Sequence, residues 1–384
     1  MEKEADVVII GGGISGLAVA YNLAKGGLKK VIVLEKGYLG SGATTRCLCG
    51  IRASFTTPET IVLMKECIKL WKNLNQELGY NTLFHQNGYL FLALSEDEIE
   101  AYQKWINLHK SFGLKSQFLS PSEVKMKIPQ IDANKIFGGL FNPEDGSAHH
   151  DAVVRAYARA ALKMGVKIYT YTKAIKLTQG DGRVKSVITD RGEIYTSIVV
   201  NAASAHAAEI AKTVGVNLPI TVIRRHALVT EPLKHFLDPI LIMLSYGAAY
   251  HQSLRGEVLG TTRIDEPPTP NIKASLNFLE SCAKNLVYIL PPMKNVRVLR
   301  QWAGLYDVTP DGSPIIGSVE EVEGFIQING GSGHGFMMAP LLGKLIAQLI
   351  IDGVESSLIK PFNIKRFKEG KLIVEKAVTG KKIG

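Results

Sequence analysis

The sequence feature that most limits the fold is a glycine-rich segment that follows a short apolar run near the N-terminus. Residues 7–10 are apolar without alternation, which predicts a buried parallel strand. Glycines spaced as G-x-G-x-x-G follow at Gly11, Gly13 and Gly16. In a dinucleotide-binding turn, the first glycine permits a tight turn and the second lets the backbone approach a pyrophosphate. The third lets the helix pack closely on the strand.

A second apolar run at residues 31–34 predicts the next strand, and it ends at Glu35. A carboxylate at this point can accept hydrogen bonds from both hydroxyls of an adenosine ribose. The acid favours a free ribose over a 2′-phosphate, so the segment predicts FAD or NAD rather than NADP. The alternative is an ordinary strand–turn–helix, because a single glycine fingerprint is weak evidence. NAD is disfavoured because a second complete nucleotide fingerprint is missing.

Length and charge narrow the class of protein further. The 384 residues suffice for two domains, or for one large interleaved pair. The formal charge is +10, but the basic residues are scattered, so we expect no nucleic-acid binding. The densest basic segment, residues 360–382, predicts a solvated tail or, alternatively, contact with an acidic partner or anionic lipid.

The cysteine content and the N-terminus indicate an intracellular, soluble protein. Four cysteines in so long a chain do not resemble a disulfide framework. Acidic residues precede the first strand, where a secretory leader would be basic, so we expect no signal peptide. We also expect no transmembrane segment and a cytoplasmic location, because the glycine loop interrupts the most apolar N-terminal run.

A second glycine-rich junction between a strand and a helix lies at residues 330–335. Free backbone N–H groups and a helix N-terminus there would face an electron-rich group. In a flavoenzyme that group is the pyrimidine end of the isoalloxazine, and the helix dipole would favour its reduction. The alternatives are a second phosphate loop or a plain helix start. Between the two junctions, residues 221–298 show alternating strands and many prolines, which indicates a second domain that covers the substrate.

Five segments together resemble the family of D-amino-acid oxidase, glycine oxidase and sarcosine oxidase. These segments are residues 11–36, 40–46, 199–203, 309–317 and 331–340. The resemblance covers essentially the whole chain. It is greatest to the β subunits of heteromeric enzymes, the archaeal dye-linked L-proline dehydrogenase and heterotetrameric sarcosine oxidase.

The resemblance implies an α/β architecture, α+β overall. A Rossmann-type FAD-binding domain is interleaved with a substrate domain built on a mixed, largely antiparallel sheet. We assign residues 1–85, 146–218 and 299–384 to the FAD-binding domain. Residues 86–145 and 219–298 are assigned to the substrate domain.

The resemblance also implies which residues contact FAD. The pyrophosphate positions are Gly11, Gly13, Ile14, Ser15 and Gly16, and the ribose positions are Glu35 and Lys36. Ser41, Gly42, Ala43, Thr44 and Thr45 lie beside the flavin and its ribityl chain, and Ala174 contacts adenine through its backbone. Further cofactor positions are Cys49, Gly50, Ile51, Ala202, Gly304, Gly331, Gly333, His334, Gly335, Phe336 and Met337.

Three residues are implied to bind the substrate. Arg52 matches an arginine that holds the substrate carboxylate, a task that suits a bidentate guanidinium. Its alternative is a surface salt bridge. His226 and Tyr250 match pocket positions in the proline dehydrogenase β subunits, although a core histidine bonded to backbone is a fair competing interpretation of the former.

Departures from the family pattern predict a dehydrogenase with non-covalent FAD. Gly304 replaces the cysteine that attaches FAD in monomeric sarcosine oxidases, and Met337 replaces a lysine that helps to hold the carboxylate. No lysine lies between Lys234 and Lys273, where the family has the lysine that activates oxygen. Without that cation, charge that develops on oxygen is less stabilised, so oxygen should be a poor acceptor.

A second flavin is the expected route for the electrons. His150 takes the position of a histidine that binds FMN at a subunit interface in heterotetrameric sarcosine oxidase. Its alternative is the N-terminal flank of a helix capped by Asp151. The pair Cys47 and Cys49 allows a metal or redox site, but buried thiols beside the flavin are favoured because no histidine cluster accompanies them.

The leading functional hypothesis is the catalytic β subunit of an FAD-dependent amino-acid dehydrogenase that oxidises L-proline or a related secondary amino acid. Hydride would pass to flavin N5, and electrons would pass to a partner flavin or acceptor, with a larger α subunit as the partner. Sarcosine oxidase β-type or glycine oxidase-like activity is the alternative. Further alternatives are a hydroxy-acid dehydrogenase and a non-catalytic electron-transfer subunit.

Overall fold

In the computed structural model, which describes residues 1–379, the chain forms two layers that are each built on a β-sheet. The chain passes between the two layers several times. The strands, numbered in chain order, are β1 (Val7–Ile10), β2 (Val31–Leu34), β3 (Gly50–Ile51), β4 (Tyr89–Ala93), β5 (Gln117–Leu119), β6 (Gly138–Asn142), β7 (Gly146–Ser147), β8 (Lys167–Tyr169), β9 (Ala174–Gly180), β10 (Arg183–Thr189), β11 (Gly192–Tyr195), β12 (Val199–Asn201), β13 (Thr221–Pro232), β14 (Ile240–Met243), β15 (Ala248–Gln252), β16 (Glu257–Thr261), β17 (Val298–Val308), β18 (Ile315–Ser318) and β19 (Phe325–Asn329). The α-helices are α1 (Ile14–Lys25), α2 (Pro58–Leu78), α3 (Glu96–Ser111), α4 (Pro121–Lys127), α5 (His150–Lys163), α6 (Ala207–Lys212), α7 (Leu276–Ile289), α8 (Gly335–Asp352), α9 (Lys365–Glu369) and α10 (Lys376–Thr379).

A six-stranded sheet in the order β18-β19-β12-β1-β2-β8 forms the first layer, and all its pairs are parallel except β18–β19. Strand β1 is buried on both faces, which explains its unbroken apolar sequence. Val7 and Ile9 pack in the cluster formed by α1, α2, α5 and α8. Val8 and Ile10 pack on the other face, against α6 and the three-stranded sheet β11-β10-β9.

The second layer is an eight-stranded sheet in the order β17-β13-β16-β15-β14-β4-β6-β5. Its neighbours are antiparallel except β14 and β4, which are parallel. One face packs on α4 and α7, and the other face packs partly on α3. This mixed, largely antiparallel sheet beside a mostly parallel one confirms the predicted fold class. The predicted domain boundaries stay a prediction, and β17, over residues 298–308, belongs to the eight-stranded sheet.

Helix α8 fixes the second glycine junction to the core. It is long and apolar enough to cross a membrane by length and composition, but 61% of that window is buried inside the protein. A Cβ added at Gly343 would lie 2.6 Å from the Cβ of Ala18 in α1, so the two helices are in close contact. Trp71 of α2 donates a hydrogen bond of 2.8 Å to the carbonyl of Met337. These contacts are those of a core helix.

Candidate functional site

The turn between β1 and α1 leaves no room for side chains at two of its glycines. Gly11 has φ +117°, and a Cβ there would lie 2.3 Å from the carbonyl oxygen of Ala202. A Cβ at Gly16 would lie 2.0 Å from the carbonyl oxygen of Gly11. Neither position has room for a side chain, so the local geometry explains both glycines.

Two helix N-termini border the same cavity. Gly13 is the N-cap of α1 and His334 is the N-cap of α8, and neither end has a side-chain cap hydrogen bond. The N–H of Ile14 donates a 3.2 Å hydrogen bond to Oγ1 of Thr44. A helix N-terminus that borders a cavity is the arrangement that binds phosphate and other anions.

The cavity has a volume of about 410 Å³ and lies between the six-stranded sheet and the last residues of β17. Sixteen of the predicted cofactor residues border it: Gly11, Gly13, Ile14, Ser15, Glu35, Lys36, Ser41, Gly42, Ala43, Thr44, Ala174, Ala202, Gly331, Gly333, Gly335 and Phe336. These residues are far apart in the chain, and the fold brings them to one surface.

At one end of the cavity, Glu35 is oriented by neighbouring backbone. Its Oε2 accepts a 2.9 Å hydrogen bond from the N–H of Gly12, and its Oε1 accepts one of 2.8 Å from the N–H of Gly37. Nζ of Lys36 lies 2.7 Å from Nε2 of His206 on the opposite wall. A carboxylate held beside the glycine turn in this way suits the hydroxyls of a ribose.

The second glycine junction is shaped by side chains. Oδ2 of Asp307 accepts a 2.8 Å hydrogen bond from the N–H of Gly330. A Cβ at Gly333, where φ is +92°, would lie 2.3 Å from the ring of Tyr306. Burial raises the pKa of both Asp307 and Tyr306. The turn is therefore held by β17 as well as by its own backbone, in which the N–H of His334 donates a 2.6 Å hydrogen bond to the carbonyl of Gly331.

Other predicted cofactor residues lie just behind the cavity wall, namely Gly16, Thr45, Cys49, Gly50, Ile51, Gly304, His334 and Met337. Gly304 admits Arg46, whose Cβ would lie 3.0 Å from an added Cβ. Gly50 faces the hydroxyl of Tyr89, and a Cβ there would lie 1.7 Å from it. These glycines give room to neighbouring side chains that complete the wall.

Arg52 lies buried behind the second junction, with 5% of its surface exposed. Its Nη2 donates a 3.2 Å hydrogen bond to Nε2 of His334, and its Nη1 donates to the carbonyl of Ser54. The guanidinium carbon lies 3.8 Å from the ring centroid of Phe55 and 5.6 Å from that of Phe91. Burial, and then the charge of Arg52, keep the pKa of His334 well below its usual range, so the neutral imidazole accepts this hydrogen bond.

His226 and Tyr250 do not lie with Arg52. The ring of His226 stacks on Phe278 of α7 with centroids 5.0 Å apart, and its Nε2 is 3.1 Å from Oε2 of Glu266. The hydroxyl of Tyr250 donates a 3.1 Å hydrogen bond to the carbonyl of Cys282, also in α7.

Strand alternation is the physical reason for this separation. Successive residues of a strand point to opposite faces. Tyr250 shares the α7 cluster with Leu90, whereas the next residue of β4, Phe91, belongs to the cluster on the opposite face. Arg52 lies near Phe91. The side chains of His226 and Tyr250 therefore face α7 on one side of the eight-stranded sheet, away from the cavity.

The residues that sequence reasoning missed include Arg46, Tyr306, Asp307 and His206, which all border the cavity. Cys47, one of the two thiols predicted beside the flavin, borders it as well. Nη1 of Arg46 donates a 3.2 Å hydrogen bond to the carbonyl of Ala303, and the carbonyl of Arg46 accepts one of 3.0 Å from Nε1 of Trp302. The available signal was position, since Arg46 continues the loop of predicted residues and Tyr306 follows Gly304 by two.

His150 is the first residue of α5, so the predicted cap at Asp151 is wrong. His149 is the N-cap and makes no side-chain cap hydrogen bond, while Asp151 lies in the first turn. Nδ1 of His150 is 3.3 Å from Oδ1 of Asp151, and burial lowers the pKa of His150. His149, His150 and Asp151 each place one possible ligand atom within 4.8 Å of the others.

The residues present fit a dinucleotide whose ring system lies against the second junction. Added Cβ atoms at Gly42 and Gly335 would meet nothing within 4 Å, so both glycines leave open space in the cavity. The N-terminus of α1 suits a pyrophosphate, and the N-terminus of α8 brings a second positive helix end to the same cavity. One cavity thus joins a phosphate-binding end to an end suited to a flat, electron-rich ring.

Comparisons with known proteins agree with this reading. A family model described as FAD dependent oxidoreductase matches residues 6–349. The sarcosine oxidase subunit beta of Rhodobacter capsulatus is 32% identical over 385 residues, which span 99% of this chain and 92% of that protein.

Solved structures give the same picture. The L-proline dehydrogenase from P. horikoshii superimposes with a TM-score of 0.92 at 34% identity, covering 97% of this chain and 100% of that chain. The glycine oxidase from Geobacillus kaustophilus superimposes with a TM-score of 0.89 at 24% identity, covering 95% and 99%, which shows a shared fold.

Proposed function

Because the chain belongs to the family of FAD-dependent oxidoreductases, we propose that it is an amino-acid dehydrogenase whose substrate is L-proline or a related secondary amino acid. The observation that carries this proposal is the likeness to the L-proline dehydrogenase from P. horikoshii over nearly the full length of both chains. Similarity of fold alone would not support a particular substrate, but this match also has 34% sequence identity.

The proposed chemistry divides between the cofactor and this chain's residues. Bound FAD supplies a two-electron acceptor for the hydride on the substrate carbon next to nitrogen. Arg52 holds the substrate carboxylate, and neutral His334 fixes the orientation of the guanidinium. The rings of Phe55 and Phe91 exclude water from Arg52, which strengthens a charged contact. His226 and Tyr250, on the far face of the sheet, support the sheet from behind.

A dehydrogenase is preferred over an oxidase on electrostatic grounds. No lysine occurs between Lys234 and Lys273, so the sheet above the cavity supplies no lysine cation from residues 235–272. Without that cation, charge developing on oxygen would be less stabilised there. Slow reoxidation of the substrate-reduced protein by oxygen, compared with an artificial dye, is the expected behaviour.

The subunit role and the second flavin are further parts of the proposal. We also propose a larger partner subunit and a cytoplasmic location for this chain, and relatives named sarcosine oxidase subunit beta support the presence of a partner subunit. His150 would contact an FMN at that interface, without a covalent bond. Acid precipitation followed by chromatography of the released flavins tests this, since FMN in the complex and its loss in a His150→Ala variant are expected. Release of FAD alone from the assembled complex would contradict it.

The main experiment is an anaerobic substrate panel followed at the flavin absorbance. FAD-loaded protein is mixed with L-proline, D-proline, sarcosine, glycine and L-lactate, and L-proline should bleach the flavin fastest. Arg52→Gln should raise the concentration of L-proline for half-maximal reduction roughly a hundredfold, because a charge-assisted pair is lost. Arg52→Lys should lie between, since lysine keeps the charge but not the planar fork.

The control and the contrary outcomes separate the alternatives. Arg191 is exposed in the turn between β10 and β11, so Arg191→Gln should behave as the wild type. Fastest bleaching by sarcosine would favour the sarcosine oxidase type, and bleaching by L-lactate alone would favour a hydroxy-acid dehydrogenase. A flavin that no amine or hydroxy acid reduces would mean a non-catalytic electron-transfer subunit.

A further inference from the structure

Two of the four cysteines lie on the loop between β2 and β3, at the cavity wall. Cys47 borders the cavity, and Cys49 lies directly behind it with 6% of its surface exposed. Cys67 and Cys282 are buried in separate cores, under α8 and in α7. All four are free thiols. The loop therefore presents one accessible thiol with a second thiol as its near neighbour.

The two sulfur atoms share one tight turn of backbone. The N–H of Cys49 donates a 3.4 Å hydrogen bond to Sγ of Cys47, and the thiol of Cys47 donates one of 3.2 Å to the carbonyl of Thr44. The thiol of Cys49 donates back to the carbonyl of Cys47 at 3.7 Å. Cys49 has φ +62°, a left-handed conformation that non-glycine residues seldom adopt and that is found at functional sites.

The surroundings of the two thiols shift their pKa values in opposite directions. A hydrogen bond from the Cys49 side chain, opposed by burial, lowers the pKa of Cys47, whereas the same partnership and burial raise that of Cys49 well above its usual value. Burial raises the pKa of Cys67 and of Cys282 to about 12. Since the thiolate is the reactive form, Cys47 should react first among the four.

We propose that Cys47 and Cys49 are a peroxide-sensitive thiol pair that forms an intramolecular disulfide at the cavity wall. The Cys47 thiolate attacks hydrogen peroxide, an S–O bond forms as the O–O bond breaks, and hydroxide takes a proton and leaves as water. The Cys49 sulfur then displaces the sulfenic oxygen, an S–S bond forms, and a second water leaves. Two thiols lose two electrons and two protons, and one peroxide becomes two waters.

The oxidised pair would alter the cavity wall through Arg46. Arg46 precedes Cys47 and is held by Trp302 and Ala303 of β17. Closing a ring across three residues must change the backbone of 47–49, because the present turn is set by its own hydrogen bonds. Oxidation should therefore weaken retention of FAD, and a thiol reductant should restore it. The proposal holds whichever substrate the enzyme takes.

Trypsin offers a direct readout, since cleavage after Arg46 and Arg52 releases residues 47–52 with both cysteines in one peptide. FAD-loaded protein is treated with hydrogen peroxide, alkylated and digested. The expected result is an unalkylated 47–52 peptide lighter by two hydrogens, formed before Cys67 or Cys282 reacts and reversed by dithiothreitol. Denatured thiol titration should fall from four thiols to two.

Cysteine variants distinguish disulfide formation between Cys47 and Cys49 from oxidation of single thiols. Cys49→Ser should leave Cys47 to gain oxygen atoms without a disulfide, and Cys47→Ser should leave Cys49 unmodified. Cys67→Ser, which keeps a donor for the Met337 carbonyl, is the matched control and should still form the 47–49 disulfide. Oxidation of Cys67 or Cys282 first, or only oxygen addition at Cys47 in the wild type, would overturn the proposal.

Discussion

The two glycine-rich junctions look alike in sequence but are held in different ways. At the first, Cβ atoms added at Gly11 and Gly16 would lie 2.3 Å and 2.0 Å from backbone carbonyl oxygens. At the second, the carboxylate of Asp307 accepts a hydrogen bond from the N–H of Gly330, and the ring of Tyr306 fills the space beside Gly333. Backbone that belongs to a parallel sheet cannot move aside for a new side chain, whereas an aromatic ring can shift.

The comparison predicts its largest effect at the first junction. Gly11→Ala should abolish retention of FAD, because the new methyl group overlaps the backbone of Ala202, which cannot move without breaking the parallel sheet. The measurement is the ratio of flavin to protein after purification.

Gly27→Ala is the matched control for that substitution. Gly27 has a similar φ of +101°, but an added Cβ would meet nothing within 4 Å. It should keep full FAD and lose only about 1 kcal/mol of unfolding free energy, the usual effect of alanine at positive φ. Equal FAD content in both variants would show that the close contact at Gly11 is not decisive.

An intermediate effect is expected at the second junction. Gly333→Ala should weaken FAD binding by roughly ten- to a hundredfold, about 1–3 kcal/mol, because the ring of Tyr306 can shift where backbone cannot. Fluorescence titration of the apoprotein with FAD gives the affinity. Tyr306→Ala should relieve the overlap, so the double variant should lose less than the sum of the two single losses. Strict additivity would mean that the ring does not close this turn.

The smallest effect is expected at Gly335. This residue begins α8, has no positive φ, and faces open space in the cavity. Gly335→Ala should raise the free energy of unfolding of the apoprotein by about 0.5–1 kcal/mol through helix propensity. FAD affinity should fall only a few-fold, because a methyl group enters the cavity. A loss of FAD as large as that of Gly11→Ala would erase the distinction between the junctions.

Local sequence was enough for the first layer of the fold. The spacing from Val7 to Glu35 needs only neighbouring residues to specify strand, turn and helix, and the structure has β1, α1 and β2 where the pattern predicts them. The resemblance extended this to the mixed sheet. Sixteen predicted residues meet at one cavity because most of them follow a strand or begin a helix, while Ser41, Gly42 and Ala43 lie on the loop after β2.

Side-chain direction could not be read in the same way. His226 and Tyr250 lie on predicted strands, but which face of the sheet each residue points to depends on register with β16 and β17 and on the position of α7. The contact between Arg46 and Gly304 joins residues far apart in sequence, and no local pattern announces it. The pairing of strands that are distant in sequence therefore decides the side-chain directions that local propensity does not specify.

Strand β17 has a mechanical consequence for the whole molecule. It pairs with β13 over residues 298–308 in the eight-stranded sheet, and Tyr306 and Asp307 near its end shape the turn at which α8 begins. A displacement at one end of β17 is transmitted to the other end, because an extended strand stretches little. Binding of substrate and binding of FAD should thus be thermodynamically linked, so that each raises the affinity for the other by the same factor.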